Sequence, residues 1–435
     1  MTTQSVARAR ALRGKPRLPG DKSISHRSLI LGALAHGTTE IIDALDAGDT
    51  RSTERCLLAL GVKIRKSGNK ILVEGIGSGR FAPPADILDC GNSGTTLRLL
   101  MGALAGRSVH ARLTGDASLV KRPMRRIAEP LRMMGADIEL TRQDFAPITI
   151  RPAAGRLQAI DYELKIASAQ LKSALLLAAL SADGTTSLRG EILSRDHTER
   201  LLPHFGVPLQ VSPTQIRLLG GQKLEATRVR VPGDPSAAAF WMAGACMIPD
   251  AFVEIENVSL NPTRVGFLTA LKRMGAMIST ELTEEAPEPI GKVTVESGEL
   301  RGIHVAKSDI PGLIDELPLL AVVATQAQGV THVEGAEELR VKESDRLEAI
   351  ATCLRAMGAE IEVKKDGFRI FGPQTLKAAR VESFQDHRIA MALSIAGLVA
   401  DDSEGPTIIE NSECVSISYP DFYPTLQTLT QGGSS

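Results

Sequence analysis

The sequence predicts an α/β repeat protein of two domains, and three observations lead there. At 435 residues the chain is too long for one ordinary core. Two helix-and-strand phrases alternate along its whole length. One stretch near residue 20 returns near residue 233, which divides the repeats into two equal sets.

The first phrase is an apolar helix of small residues, a short turn and a strand. It reads LILGALAHGTTEI, LRLLMGALAGRSVHARLTG, LLLAALSADGTTSLRG, FWMAGACMIPDAFVEIENV, LLAVVATQAQGVTHVEG and AMALSIAGLVADDSEGPTIIENS. Apolar on nearly every side, these helices are expected to be buried. The second phrase is an amphipathic helix closed by glycine before a strand: CLLALGVKIRK, LRMMGADIEL, LLPHFGVPLQV, LKRMGAMIST and CLRAMGAEIEV, with LQTLTQGG a degenerate last copy. Its polar face predicts a covering helix. The closing glycines are Gly61, Gly135, Gly206, Gly275 and Gly358, at intervals of 74, 71, 69 and 83. Glycine suits the left-handed residue that ends a helix, and the alternation after it suits a half-buried strand.

Six units therefore fill the chain. LPGDKSISHRSLILGALA recurs as VPGDPSAAAFWMAGACM, with Gly20 matching Gly233 at an offset of 213, or three units. The boundaries then fall near residues 20 and 232. Residues 1–20 are expected to join 232–435 as a discontinuous domain, with 21–231 forming the other.

Composition narrows the function. Net charge of -1 argues against a nucleic-acid surface, and aromatics at 3% leave few stacking platforms, so any anion site must come from local clusters. Cys56, Cys90, Cys246, Cys353 and Cys414 are scattered without a CxxC, as expected of reduced thiols in the cytoplasm. The N-terminal MTTQSVARARALRGK has no apolar run of a secretory signal, and runs such as SALLLAALSA fall short of the ~20 residues that span a bilayer. A soluble, cytoplasmic protein with no membrane partner is expected.

Polar clusters open each first helix: GDKSISHR, DCGNSGTTLR, IASAQLKS, PGDPS, IDELP and QDHR. Others, KRPMRR, SRDHTER and RVKESDR, open second helices. Helix N-termini present unpaired N–H groups and partial positive charge, so several converging would trap anions. If the repeats share one fold, two such ends would face each other across an interdomain cleft. Plainer readings exist for each. Ser23, Asp49 and Ser168 could be N-caps. KRPMRR could be a solvated basic face with Pro123 at the first helical position. Lys342 and Arg346, four apart, would be a disfavoured like-charged pair along a helix, which favours a ligand role for RVKESDR. His26, His197 and His387 form no HxH or HxxH pair, so no metal is expected. GNSGTTLR lacks the GK[ST] of a nucleotide loop.

PGDKSISHR, GNSGTTLR, GDASLVKRPM, SAQLKSALLLA, RDHTE, RVKESDR and DHRIAMA occur in that order, followed by YPDFYPTL. In these motifs the whole chain resembles the 5-enolpyruvylshikimate-3-phosphate synthase family, and SAQLKSA and RDHTE resemble its second class. The resemblance implies two domains of three βαβαββ units each, the inverse α/β barrel of enolpyruvyl transferases, with the site in the cleft. It implies transfer of enolpyruvyl from phosphoenolpyruvate to the 5-hydroxyl of shikimate 3-phosphate, with no metal or organic cofactor.

By motif position the family's roles fall on particular residues. Lys22, Ser23, Arg27, Ser168, Ala169, Gln170, Arg195, Asp315 and Lys342 are implied to bind shikimate 3-phosphate. Lys22, Gly94, Arg122, Gln170, Arg346 and Arg388 are implied to bind phosphoenolpyruvate. Lys22, Asp315 and Glu343 are implied to be catalytic, Asp315 as base for the 5-hydroxyl and Glu343 for the carbon 3 proton. Glyphosate is implied as a competitor of phosphoenolpyruvate, and a monomer is expected. First-class members carry a lysine two residues before the tail's aromatic-Pro-Asp; here Ile417 stands there. Lys22 or the arginines must then carry more phosphate charge, and the acid for the leaving group is unassigned. Within the same fold, a UDP-N-acetylglucosamine enolpyruvyl transferase would need a reactive cysteine, for which Cys90 is the candidate. A non-catalytic phosphometabolite-binding protein would be expected to lack Asp315 or Glu343, and both are present.

Overall fold

The computed structural model describes residues 2–431, and the chain divides into two compact units, Met1–Pro19 with Pro232–Ser435, and Gly20–Val231. Gly432 and Gly433 of the degenerate last repeat lie outside the described residues. Gly20 goes with the second unit, because its backbone sits against that unit's own loop. A Cβ added there would lie 2.1 Å from the Asp43 carbonyl oxygen.

Twelve principal helices alternate as the two phrases require. Within Gly20–Val231 they are α1 (Lys22–Leu34), α2 (Gly48–Ala59), α3 (Gly94–Ala105), α4 (Arg125–Met133), α5 (Ala169–Ala179) and α6 (His197–His204). The other unit holds α7 (Pro235–Met247), α8 (Gly266–Arg273), α9 (Leu317–Gln326), α10 (Arg346–Ala356), α11 (His387–Val399) and α12 (Phe422–Gln431). Odd-numbered helices are buried nearly all round. In α3 every residue but Thr95 is buried, and in α11 every residue but Val399. Even-numbered helices bury one face only, as Ile127, Ala128, Pro130 and Leu131 do in α4. Small residues let the inner helices approach closely. A Cβ on Gly102 of α3 would fall 2.2 Å from the Ala174 carbonyl oxygen of α5, so even alanine would force these helices apart. Each fully buried leucine there, such as Leu175 or Leu176, contributes roughly 1.5–3 kcal/mol of burial.

The five closing glycines share a left-handed φ, between 81° and 98°. At Gly135 and Gly358 a Cβ would meet nothing within 4 Å, so the requirement there is backbone conformation alone.

Apart from a two-stranded parallel pair, Leu157–Gln158 with Ala182–Asp183, the strands of the described residues form one sheet per repeat. In each four-stranded sheet a short strand lies parallel to the first long strand, and two antiparallel strands follow. The order is exemplified by Leu88–Asp89, Ala111–Thr114, Phe145–Arg151 and Asp137–Thr141. The parallel strand always comes from outside the hairpin it joins. In Gly20–Val231 the last strand, Arg228–Arg230, returns to lie beside the first, Thr38–Ile42, closing the cycle of three. In the other unit Arg13–Gly14 plays that part beside Phe252–Ser259. The sixth sheet has three strands, with Thr3–Val6 antiparallel to Thr407–Glu410.

Candidate active site

Side chains cap most inner helices. The carboxylates of Asp21, Asp234 and Asp386 and the hydroxyls of Ser93 and Ser168 accept backbone N–H bonds in the first turns of α1, α7, α11, α3 and α5. Around these ends, polar side chains lace the helices together.

In Gly20–Val231, Arg27 is buried and ties α1 to α5 and α6. Its Nε donates to Thr198 Oγ1 at 2.8 Å, Nη2 to Ser173 Oγ at 2.8 Å and Nη1 to the Ser23 carbonyl at 2.9 Å. Lys22 Nζ lies 3.0 Å from Asp49 Oδ2, joining the starts of α1 and α2. Arg195 Nη1 is 3.5 Å from Ser23 Oγ. A second group forms at the start of α3. Arg98 Nη1 donates to Gln170 Oε1 at 2.6 Å, and Gln170 Nε2 donates to Thr95 Oγ1 at 2.9 Å. Arg122 Nη2 donates to Asn92 Oδ1 at 2.8 Å. Gly94, the first residue of α3, faces both guanidiniums: an added Cβ would sit 3.1 Å from Arg98 Nη1 and 3.4 Å from Arg122 Nη1. Ser168 caps α5 and Ala169 begins it.

A hydroxyl chain joins these groups. His26 Nδ1 lies 2.7 Å from Thr53 Oγ1, which is 2.6 Å from Thr96 Oγ1, which in turn donates to Ser93 Oγ at 2.8 Å. Burial, with the charges of Lys22 and Arg27 added, pushes the His26 pKa well below its ordinary value, so the imidazole is neutral. Lys172 supports the Arg195 loop. Its ammonium, 1% exposed, pairs with Glu199 Oε1 at 2.6 Å and donates to the carbonyls of Ile192 and Ser194.

In the other unit one guanidinium organises the cluster. Arg346, the first residue of α10 and 1% exposed, holds three carboxylates. Its Nε lies 2.8 Å from Asp386 Oδ2, Nη1 3.1 Å from Asp315 Oδ1 and Nη2 2.7 Å from Glu343 Oε2. Lys342 Nζ is 3.5 Å from Asp315 Oδ1, and Arg388 Nη2 is 3.6 Å from Asp315 Oδ2. Burial works against the charge on Arg346, but Asp386, Glu343 and Asp315 outweigh it and raise its pKa. Burial likewise pushes the Asp386 carboxyl up, and Arg346 more than reverses this, leaving it lowered. Asp315, Lys342, Glu343, Arg346 and Arg388 thus meet in one cluster.

Several plainer readings are corrected. Asp21, not Ser23, caps α1, and Asp49 lies inside the first turn of α2, paired with Lys22 rather than capping. Ser168 is a cap. Pro123 is not the first helical residue; α4 begins at Arg125. Proline holds the preceding Arg122 in extended backbone (ψ 137°), while the Asp144 carbonyl takes the Met124 N–H, so the turn forms later. KRPMRR is also not one face: Lys121 and Arg125 are exposed and Arg122 is buried. Lys342 and Arg346 are not a helical pair, because Lys342 precedes α10 in extended backbone and Glu343 takes the place beside Arg346. Ile417 ends a 3-10 turn and packs on the apolar core of its unit.

Sequence reasoning missed Arg98, Lys172 and Asp386. A lysine inside the apolar SAQLKSALLLA was the available signal for Lys172, since a buried cation demands a carboxylate. Cys90 is fully buried, and a hydrogen bond with Cys56, together with burial, raises its pKa well above normal, which makes it a poor nucleophile. All five cysteines are unpaired by disulfides. No helix among the described residues is long and apolar enough to cross a membrane.

Known proteins resemble the chain along its whole length. The profile of the family described as EPSP synthase (3-phosphoshikimate 1-carboxyvinyltransferase) matches residues 6–426. A 3-phosphoshikimate 1-carboxyvinyltransferase from Bacillus thuringiensis (strain Al Hakam) is 46% identical over 422 residues, covering 97% of each chain. One from Bacillus cytotoxicus is 44% identical over 428 residues, covering 98% of this chain and all of that one. Among solved structures, the EPSP synthase of Acinetobacter baumannii superposes with a TM-score of 0.87 at 40% identity over 98% of both chains.

Proposed function

The chain belongs to the EPSP synthase (3-phosphoshikimate 1-carboxyvinyltransferase) family; it is an enolpyruvyl transferase of the shikimate pathway, and we propose how its residues divide the work. Both substrates, phosphoenolpyruvate and shikimate 3-phosphate, are phosphorylated carboxylates. Shikimate 3-phosphate is bound by Lys22, Ser23, Arg27, Ser168, Ala169, Gln170, Arg195, Asp315 and Lys342. Phosphoenolpyruvate is bound by Lys22, the open backbone at Gly94, Arg122, Gln170, Arg346 and Arg388, where guanidinium forks suit carboxylate and phosphate.

Two protons must move. The 5-hydroxyl oxygen attacks carbon 2 of the enol as its proton passes to Asp315, while carbon 3 takes a proton from the Glu343 carboxyl. The adduct then returns a carbon 3 proton to Glu343, the carbon 2–oxygen bond to phosphate breaks, and phosphate departs. Cations around the phosphate stabilise the leaving charge. Neither metal nor organic cofactor has a task in this sequence. One observation supports it above the rest: Asp315 and Glu343 sit on opposite arms of Arg346, so two carboxyl groups are held side by side. Asp315 accepts a proton as carboxylate, and Glu343 donates one in its acid form.

The further reading is of a cytoplasmic monomer on which glyphosate competes with phosphoenolpyruvate. A phosphate-release assay tests the core of the proposal. Release is expected only with both substrates present and none with UDP-N-acetylglucosamine as acceptor. Release independent of shikimate 3-phosphate would overturn it.

A further inference from the structure

Away from these clusters, strand register assembles a group of donors that sequence spacing does not show. His304–Val305 runs parallel to Gly329–Val333, and the pairing sets His304 beside His332, 28 positions later. Val305, Thr331 and Val333 are buried, so alternation turns both imidazoles and Glu334 to the outer face. The rings stack with centroids 5.2 Å apart and planes 22° off parallel. Glu334 Oε1 lies 3.3 Å from His304 Nε2. One ligating atom from each of the three lies within 4.8 Å of the others. The enolpyruvyl chemistry uses none of them.

We propose that His304, His332 and Glu334 bind a zinc-type divalent ion, with water completing its coordination. Two imidazole nitrogens and a carboxylate oxygen are the donor set that zinc takes, whereas calcium and magnesium seek oxygen alone. At metal–ligand distances of about 2.0–2.1 Å, tetrahedral donors stand about 3.3 Å apart. Closing from 4.8 Å needs only rotation of side chains that are partly solvent-exposed, His304 at 54% and Glu334 at 44%. Two cations oppose the ion. Arg369, opposite His332 in the antiparallel register, and Lys364 on the next strand share the outer face. Glu362, opposite Arg369 and 4.0 Å from its Nη1, offsets part of that charge.

The consequence is mechanical. His304–Val305 itself pairs with its neighbour over two residues, and one isolated bridge, Arg301 to Gln328, precedes it. An ion held by both strands would staple that junction, and an ion bound only by the folded chain raises its stability by mass action. The test uses the whole chelator-treated protein at about pH 7.5, where ordinary imidazoles are mostly neutral. Zinc chloride titrated calorimetrically should bind one ion per chain and raise the melting temperature, with EDTA reversing the rise and magnesium chloride causing none. His304→Ala and His332→Ala should each weaken zinc at least about tenfold, and Glu334→Gln less, while phosphate release stays as in the parent. Failure to saturate at about a hundredfold excess of zinc, or undiminished binding in the His304→Ala/His332→Ala double variant, would overturn the proposal.

Discussion

The two clusters use arginine in opposite ways. In Gly20–Val231, the described partners of Arg27, Arg98 and Arg122 within that unit are hydroxyls, amide oxygens and a backbone carbonyl. Such partners orient a guanidinium through neutral groups. In the other unit, Arg346 faces three carboxylates and pairs with each of them. The first arrangement fixes the direction in which each guanidinium fork points. The second makes the guanidinium a frame that positions acids. The same residue type thus takes neutral partners in one unit and carboxylates in the other.

Breaking the contrast should separate activity from stability. Arg122→Ala and Lys22→Ala are expected to lower kcat/KM by about 10²–10³ with little change in the urea midpoint. Arg346→Ala leaves Asp386 and its neighbours buried without their counter-charge, and should cost about 3–5 kcal/mol of folding stability as well as activity. Urea unfolding beside steady-state kinetics reads both. A parent-like midpoint in Arg346→Ala would erase the distinction.

Glu343→Gln sharpens it. The amide oxygen can still accept from Arg346 Nη2, so the frame survives while the proton donor is lost. Deuterium exchange from solvent into carbon 3 of phosphoenolpyruvate should slow by about 10² while its affinity stays within a few-fold. Exchange at the parent rate would remove Glu343 from the proton path.

What could be read before the structure divides along the range of the interactions. The repeat fold was legible because its signals are local: helix periodicity, and a glycine where each outer helix must turn left-handed, as at Gly135 and Gly358. The start of α4 was misread although its cause is local too, since proline's effect on Arg122 outweighed its own fitness for a first turn. Partners were out of reach. Arg27 meets Thr198 across 171 positions, and Arg346 meets Asp386 across 40. QDHR therefore read as a helix entry, with no hint that Asp386 anchors a guanidinium from another helix. His304 and His332 are the same kind of case, joined by register alone.

His26 offers the smallest and cleanest test of how the cationic cluster is held. It is fully buried on α1, and its Nε2 has no hydrogen-bond partner among the described residues. Its folded pKa lies below the unfolded value of about 6.5, because burial and then Lys22 and Arg27 penalise the charged ring. The unfolded chain therefore binds the proton more readily. Stability from the neutral ring is complete above the unfolded pKa and is lost as pH falls below it, by about 1.4 kcal/mol per pH unit. Between about pH 6.5 and 5.5 the parent should lose about 1 kcal/mol more than His26→Asn, which keeps a polar group near Thr53 but cannot titrate there. Other acids titrate in both proteins, so the difference between their urea midpoints isolates this ring. Parallel pH profiles would mean that the ring takes up its proton in the fold as readily as in the unfolded chain, and that burial does not hold it neutral.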